Sequence, residues 1–333
     1  MIKDEVLKKF SDKKILITGG TGLIGRQVVD MLVRAGANVV IVSLDRINVN
    51  DKAEHFFGDL RNFEYCIEIT RDVDCIIHLA GVGASAKASE QKVASHFVPN
   101  IMMNTNIMEA SRINGVHKLV YTSSIGAYAS SDILVESGYR IDSSPMDLAG
   151  WAKRMAELQI YTYRKQYGIT GYSIVRPANV YGPGDNFDPE NSLVIPSLIT
   201  RIFRGDDPLL VWGDGSAIRD FVFSRDVAEG IILVLHYGTD SGFVNLGSGK
   251  GYSIRELVET LRGIVDFNFV FDPSKPSGYP KRVMDISLAM EKIGYNPETT
   301  LAEGLKETWD WFCRNQNEYL LKMNYFKNQE RFA

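Results

Sequence analysis

Short apolar runs alternate with longer amphipathic stretches through the first half of the chain. The apolar runs have the length of buried strands and lie at 15–17, 39–42, 74–79, 118–122 and 172–175. The stretches at 100–114 and 150–167 are long enough for helices. Strands separated in this way by helices form a parallel sheet that is covered on both faces. The pattern therefore predicts an α/β fold with a doubly wound parallel sheet and right-handed crossovers.

The pattern changes after Pro177. Residues 181–189 are rich in Gly, Pro, Asp and Asn, which predicts a long ordered loop. The later elements are helices at 191–203, 253–262 and 301–315 and a strand at 267–271. We predict a dinucleotide-binding Rossmann domain from 1–178 and about 213–245. A smaller α/β domain for the substrate, the cap domain, is then formed by about 179–212 and 246–333.

The most informative stretch reads I-L-I-T-G-G-T-G-L-I-G at 15–25, where a strand leads into a glycine turn and then a helix. Glycines let the backbone approach a pyrophosphate, and a helix N-terminus offers unpaired N–H groups and a positive dipole end. This order of elements is typical of a dinucleotide site. We therefore predict that the cofactor is bound by Gly19, Gly22, Leu23, Ile24 and Gly25.

The end of the second strand bears on the choice of dinucleotide. An acidic residue there favours NAD, whereas a nearby arginine accommodates the extra phosphate of NADP. Ser43 occupies the usual acidic position, Asp45 follows two residues later, and Arg46 comes next. We predict NADP and keep NAD as the alternative. Asp59, after the probable third strand, is either a ligand of the adenine amino group or a simple turn residue.

Charge and cysteine content narrow the class of protein. The formal net charge of −4 argues against nucleic acid as a partner. The three cysteines have neither metal-ligand spacing nor a disulfide pattern, so we expect a reducing, cytoplasmic location. The first residues lack the apolar core of a signal peptide, and no apolar run is long enough to span a membrane. The five histidines form no paired ligand set, so we predict no metal.

Over nearly its full length the chain resembles the extended short-chain dehydrogenases/reductases that act on nucleotide sugars. Within that family it is most similar to the GDP-L-fucose synthases. The resemblance rests on the glycine turn and on G-D-L at 58–60, H-L-A-G at 78–81, T-S-S at 122–124, A-K at 152–153, R-P-A-N-V-Y-G-P-G-D-N at 176–186 and R-D-F-V at 219–222. It implies further cofactor contacts at Leu60, Leu79 and Ala80. It also implies a nucleotide-diphosphate sugar as substrate, with a GDP-sugar favoured, and a homodimer formed through the helices at 100–114 and 150–167.

The family's catalytic residues are a serine, a tyrosine and a lysine, the last two in the pattern Y-x-x-x-K. Lysine binds the nicotinamide ribose, tyrosine passes a proton to or from the sugar oxygen, and serine holds that oxygen. Ser124 matches the serine and Lys153 matches the lysine, but the tyrosine position holds Ala149. Either Ala149 is an engineered replacement, which we favour, or the protein naturally uses another proton shuttle. A third interpretation is a non-catalytic cofactor-binding sensor of the same fold.

Two other positions restrict the reaction that the resemblance implies. The acid and base that fucose synthases use for epimerisation beside the ketone correspond to Gly126 and Leu193, which cannot titrate. The Asp-Glu pair of sugar dehydratases corresponds to Ile125 and Gly126. What remains is hydride transfer at a sugar carbinol, at carbon 4: reduction of a ketone, oxidation, or epimerisation through a transient ketone.

Four residues are candidates for the rest of the substrate. By resemblance, Arg201 and Arg219 grip the nucleotide diphosphate and Asn179 contacts backbone and phosphate. Each arginine has the alternative of being a solvated or ion-paired surface residue. Trp212 either lines the base pocket or packs in the core.

Overall fold

A computed structural model describes residues 2–83, 91–188, 191–240 and 242–322. Its main sheet consists of β1 Lys14–Thr18, β2 Asn38–Ser43, β3 Glu54–Phe57, β4 Cys75–His78, β5 Lys118–Thr122, β7 Tyr172–Pro177 and β12 Phe243–Leu246. These seven strands are all parallel and follow the order β12-β7-β5-β4-β1-β2-β3 across the sheet. The order reverses between β1 and β4, and in such sheets ligands bind beyond the carboxyl ends of the strands at the reversal. The predicted doubly wound α/β fold is confirmed.

The remaining strands form smaller sheets. They are β6 Ile133–Leu134, β8 Asn179–Tyr181, β9 Leu209–Trp212, β10 Ile218–Arg219, β11 Phe221–Phe223, β13 Tyr252–Ser253, β14 Phe269–Asp272 and β15 Lys281–Met284. A four-stranded mixed sheet has the order β13-β10-β15-β6, and β8 pairs with β11 as β9 does with β14. This confirms a smaller mixed α/β unit in the C-terminal half.

The helices lie at Asp4–Leu7, Leu23–Arg34, Phe63–Ile69, Val93–Ile113, Leu148–Tyr167, Val194–Phe203, Ser224–Tyr237, Ile254–Arg262, Ser287–Ile293, Leu301–Arg314 and Gln316–Leu321. The helix predicted to begin at about residue 100 begins at Val93 instead, and Pro99 lies inside it. Proline usually marks a helix boundary, and here the helix continues through it. In the part of the chain that the structure describes, no helix combines the length and apolarity that a membrane crossing needs.

Successive residues of the main-sheet strands contribute their side chains to two hydrophobic cores, one on each face of the sheet. Ile15 and Ile17 pack on one face and Leu16 and Ile76 on the other, and all four are fully buried. A third core lies in the C-terminal half, beneath the helix Leu301–Arg314. Within the predicted return segment at 213–245, the helix Ser224–Tyr237 and β12 join the main sheet, whereas β10 pairs in the mixed sheet. The domain boundaries stay a prediction, and residues 323–333 of the predicted cap lie outside the described residues.

Candidate active site

The glycine turn closes tightly against the end of β4. Gly19 has a φ of +70°, and a Cβ on it would lie 2.8 Å from the Ala80 nitrogen. A Cβ on Gly25 would lie 2.3 Å from the Gly19 carbonyl oxygen. Gly22 precedes the helix Leu23–Arg34 and provides no side-chain cap for its first turn. The opening N–H groups of this helix can therefore be approached by an anion.

Hydrogen bonds from the end of β1 fix the segment that follows β4. The Leu79 N–H donates to the Thr18 carbonyl oxygen at 3.1 Å, and the Ala80 N–H donates to the Thr18 hydroxyl at 3.2 Å. Leu79 and Ala80, which the resemblance assigns to the cofactor, thus lie directly beside the glycine turn.

The end of β2 is organised around Asp45. Ser43 donates its hydroxyl to the Asp45 carbonyl oxygen at 2.9 Å and lies 2.7 Å from the Nε2 of His55. The hydroxyl of Thr21, within the glycine turn, donates to the Asp45 carboxylate at 3.1 Å. The structure therefore brings Asp45, rather than Ser43, into contact with the glycine turn.

Two other predicted cofactor residues have partners within the chain. The Arg46 guanidinium lies 5.1 Å from the centre of the Phe57 ring. Arg61 forms a bidentate pair with the Asp59 carboxylate, in which Nη2 and Oδ2 are 2.6 Å apart. The Asp59 carboxylate is thus engaged in its own turn, as the simple turn interpretation expects. Leu60 is buried.

Lys153 lies where the ends of β4 and β5 meet. Its Nζ donates to the Thr122 carbonyl oxygen at 2.8 Å, and a Cβ on Gly81 would lie 3.7 Å from that nitrogen. Burial lowers the pKa of Lys153 to about 8, and the charge of Glu157 partly opposes this effect. The ammonium group is therefore held next to the segment that packs on the glycine turn.

Ser124 follows Thr122, whose carbonyl oxygen accepts from Lys153, by two residues, and Ala149 precedes Lys153 by one helical turn. The Ser124 hydroxyl caps a short turn by accepting from the Gly126 N–H at 3.1 Å. A Cβ on Gly150 would lie 2.0 Å from the Gly126 carbonyl oxygen, so the helix Leu148–Tyr167 begins directly against this turn. Ala149 is the second residue of that helix and shares a face with Lys153, four residues later. The structure thus brings the three predicted catalytic positions together.

Two tyrosines near the predicted site, Tyr128 and Tyr139, have partners elsewhere in the fold. The Tyr128 hydroxyl donates to the Asn245 side chain at 2.8 Å, beneath the main sheet's last strand. Tyr139 packs edge-on against Phe243. Both rings pack around Phe243 of β12 and the buried guanidinium of Arg176.

The arginine predicted for the diphosphate has a neighbour that sequence reasoning missed. Arg219 in β10 is directly opposite Arg282 in β15. Burial lowers the pKa of both guanidinium groups, and Arg282 lowers that of Arg219 further. Two half-buried cations side by side favour an anion between them. Asn179 lies close by and donates its side-chain amide to the Asp220 carbonyl oxygen at 2.8 Å.

The other two substrate candidates have different surroundings. Arg201 pairs with Asp206 at 2.8 Å and donates to the Leu210 carbonyl oxygen at 2.7 Å, as the surface alternative expects. The core alternative for Trp212 is wrong, because its side chain is 57% exposed. The indole is therefore free to contact a ligand.

The buried histidine at the end of β4 is structural. His78 Nδ1 lies 2.7 Å from the Thr18 hydroxyl, and its Nε2 lies 2.9 Å from the Asn104 side-chain oxygen. Burial lowers its pKa to about 3, so the ring is neutral near pH 7. Among the described residues, no group of three or more His, Cys, Asp or Glu side chains is placed to hold a metal ion.

A family model identifies the chain. The model of the NAD-dependent epimerase/dehydratase family matches residues 15–247, from the glycine turn to the last strand of the main sheet. The chain therefore belongs to the NAD-dependent epimerase/dehydratase family, and this agrees with the resemblance noted from the motifs.

Similar proteins differ in the reaction that their names give. GDP-L-fucose synthase 1 of Arabidopsis thaliana is 31% identical over 325 residues, which cover 93% of this chain and 96% of that protein. The dTDP-4-dehydro-6-deoxy-D-allose reductase of a Streptomyces species is 29% identical, with coverage of 91% and 97%. The crystal structure of UDP-glucose 4-epimerase with UDP-glucose from Thermotoga maritima has a TM-score of 0.82 at 29% identity and covers 91% of this chain and 99% of that one.

Proposed function

We propose that this protein is an NADP-dependent oxidoreductase or epimerase that transfers hydride at carbon 4 of a nucleotide-diphosphate sugar. The observation that carries the proposal is the position of Lys153, whose ammonium group lies between the ends of β4 and β5, next to the segment that packs on the glycine turn. The names of its relatives, which include a fucose synthase, a 4-keto-sugar reductase and a 4-epimerase, support the same type of substrate.

The residues present fit a nicotinamide dinucleotide. Gly19 and Gly25 leave no room for side chains, and the uncapped N–H groups at Leu23 and Ile24 suit a pyrophosphate. When bound, the cofactor supplies or accepts the hydride. NADP is favoured over NAD because the usual acidic position holds Ser43 and Arg46 lies three residues later. NAD stays the alternative because the Asp45 carboxylate contacts the glycine turn.

The substrate side is built from the arginine pair. Arg219 and Arg282 would grip the diphosphate, since they lie opposite each other in paired strands and the charge of Arg282 lowers the pKa of Arg219. Asn179 borders this pair, and Trp212 offers an exposed ring for the base. A GDP-sugar is the first candidate, because the motif resemblance and the Arabidopsis relative both name one.

Ala149 determines the activity of the chain as it stands. Ser124 can hold the reacting sugar oxygen and Lys153 can hold the nicotinamide ribose, but an alanine cannot transfer the proton that accompanies hydride transfer. We expect this chain to be impaired for that reason, whether Ala149 is engineered or natural.

The test is to replace Ala149→Tyr and to assay a panel of 4-keto and 4-hydroxy nucleotide sugars with NADPH or NADP⁺. Restoring the general acid should raise the rate about a hundredfold or more. The matched control is Ala149→Phe, which adds the ring without the hydroxyl and should give no gain. Absence of turnover by the tyrosine variant with every sugar nucleotide in the panel would contradict the proposal.

The missing tyrosine also supports a second candidate, a cofactor-binding sensor without catalysis. The two candidates differ in ligand binding. A sensor would bind NADPH but no sugar nucleotide, and its natural gene would encode alanine at position 149. Binding of GDP-sugars at the arginine pair, lost in Arg282→Gln, would exclude the sensor.

We propose that the protein forms a homodimer through the helices Val93–Ile113 and Leu148–Tyr167. These helices pack against each other and carry apolar side chains that are more than a third exposed. Spacings of three and four residues place these side chains in one stripe on each helix. The stripes consist of Val98, Met102, Leu148, Trp151 and Met155. Such a surface suits a second copy of the same chain.

A further inference from the structure

A buried carboxylate lies directly behind the catalytic positions. Glu157 is 6% exposed and follows Lys153 by one helical turn. Its Oε1 accepts from the Ser123 hydroxyl at 2.5 Å and from the Nε of Arg176 at 2.8 Å, and its Oε2 accepts from the Nη2 of Arg176 at 2.5 Å. One carboxylate thus links the helix to β7 and to the residue that follows β5.

Arg176 itself has no contact with solvent. Its guanidinium lies between aromatic rings, with its carbon 4.3, 4.5 and 3.7 Å from the ring centres of Tyr128, Tyr139 and Phe243. A buried charge of this kind is tolerated only when it is paired. Glu157 is therefore fixed in place by its partner and cannot swing away from the strand ends.

The two residues that precede Ser124, Thr122 and Ser123, are held from the same helix. Lys153 donates to the Thr122 carbonyl oxygen, and Glu157 accepts from Ser123. The Ser123 N–H donates to the Val175 carbonyl oxygen at 2.8 Å, which ties the same residue to β7. The position of Ser124 is consequently determined by the residue preceding it.

We propose that Glu157 is a positioning residue of this site, which fixes Ser123 beside Ser124 and keeps the Lys153 ammonium charged. The second role rests on the proposed function, in which Lys153 holds the nicotinamide ribose. It follows from charge balance, because Glu157 lies one helical turn from Lys153 and its negative charge opposes the effect of burial on the ammonium group.

The other ionisable groups around Lys153 do not change charge in the range where it titrates. Tyr121 in β5 has its ring centre 5.3 Å from the lysine nitrogen, and burial raises its pKa well above the ordinary value. His78 in β4 and His96 in the helix Val93–Ile113 also interact with Lys153, and burial lowers the pKa of both. Between pH 7 and 10, these three groups stay neutral while the lysine loses its proton.

The experiment measures the Lys153 titration directly, without a cofactor. The protein is labelled with ¹³C-lysine, and the Lys153 Cε resonance is identified by its loss in Lys153→Met. The wild-type midpoint is expected near pH 8. Glu157→Gln should move it to lower pH, whereas Ser123→Ala, which keeps the carboxylate, should leave it unchanged. A folded Glu157→Gln protein with an unchanged midpoint would overturn the proposal.

Glu157→Gln leaves Arg176 buried without a charged partner and can fail to fold for that reason. The double variant Glu157→Gln/Arg176→Gln avoids the unpaired charge, and its Lys153 midpoint should also lie below that of the wild type. NADPH affinity of the same variants, followed by fluorescence from pH 7 to 10, gives a second readout. If the wild type binds no NADPH, the proposed function fails, while the lysine titration still tests the role of Glu157.

Discussion

Two glycines with the same backbone conformation have opposite surroundings. Gly19 and Gly168 have φ values of +70° and +68°, in the left-handed region that side chains disfavour. A Cβ on Gly19 would collide with the backbone at Ala80, whereas one on Gly168 would have no neighbour within 4 Å. Comparing alanine variants at the two positions therefore separates two effects. One is the free energy that a side chain costs at a positive φ, and the other is the collision of that side chain with the backbone at Ala80.

Gly19→Ala and Gly168→Ala therefore form a matched pair. Each should lower the free energy of unfolding by about 1 kcal/mol through its positive φ. Gly19→Ala alone should lower the free energy of unfolding by more than this amount, because the turn must move away from Ala80. For the same reason, Gly19→Ala alone should abolish NADPH binding. Denaturant unfolding and calorimetry measure the two effects. Equal NADPH affinities for both variants would contradict the assignment of the turn.

The loop after β8 supplies a prediction at the scale of an element. Asp185 is buried in this loop, and its Oδ2 has no hydrogen-bond partner among the described residues. Burial raises its pKa from 3.8 to about 7, although Lys322 partly opposes the shift. The native state therefore holds this proton more tightly than the unfolded state, so stability falls as pH rises from about 4 to 7.

Asp185→Asn removes this ionisation while keeping the shape of the side chain. The variant should melt at a higher temperature than the wild type at pH 8, and the gain should shrink towards pH 4. Asp132→Asn, at an exposed position, is the control and should show no such trend. Thermal melts across this pH range measure both. A constant difference between Asp185→Asn and the wild type would show that the carboxyl group does not titrate as described.

The elements of the main sheet could be predicted because their signals are local. A short apolar run with β-branched and aromatic residues such as 118–122 predicts a strand from its own composition, and the observed strand has the same bounds. Ser124 and Lys153 could be placed through their motifs for the same reason. Arg282 and the pair Glu157–Arg176 could not, since their partners are brought together only by strand register and helix packing. The exposure of Trp212 could not be predicted either, because the sequence alone does not indicate which face of β9 is covered by other elements.

At the scale of the whole molecule, the apolar stripe on the two long helices predicts association. Met155→Glu places a charge in the stripe and should convert a dimer to a monomer, as measured by light scattering after size exclusion. Met290→Glu is the control, since Met290 is similarly exposed at 51% but lies on a different helix. A monomeric wild type, or a dimer that withstands Met155→Glu, would contradict the proposed interface.

Calorimetric titration of the purified chain with NADPH and with NADH tests the central claim most directly. That claim is that the helix opening after the glycine turn holds a nicotinamide dinucleotide, with Lys153 beside its ribose. We expect saturable binding of one reduced coenzyme, tighter for NADPH than for NADH, and weaker in Lys153→Met. A folded protein with no measurable heat of binding for either coenzyme would contradict the account.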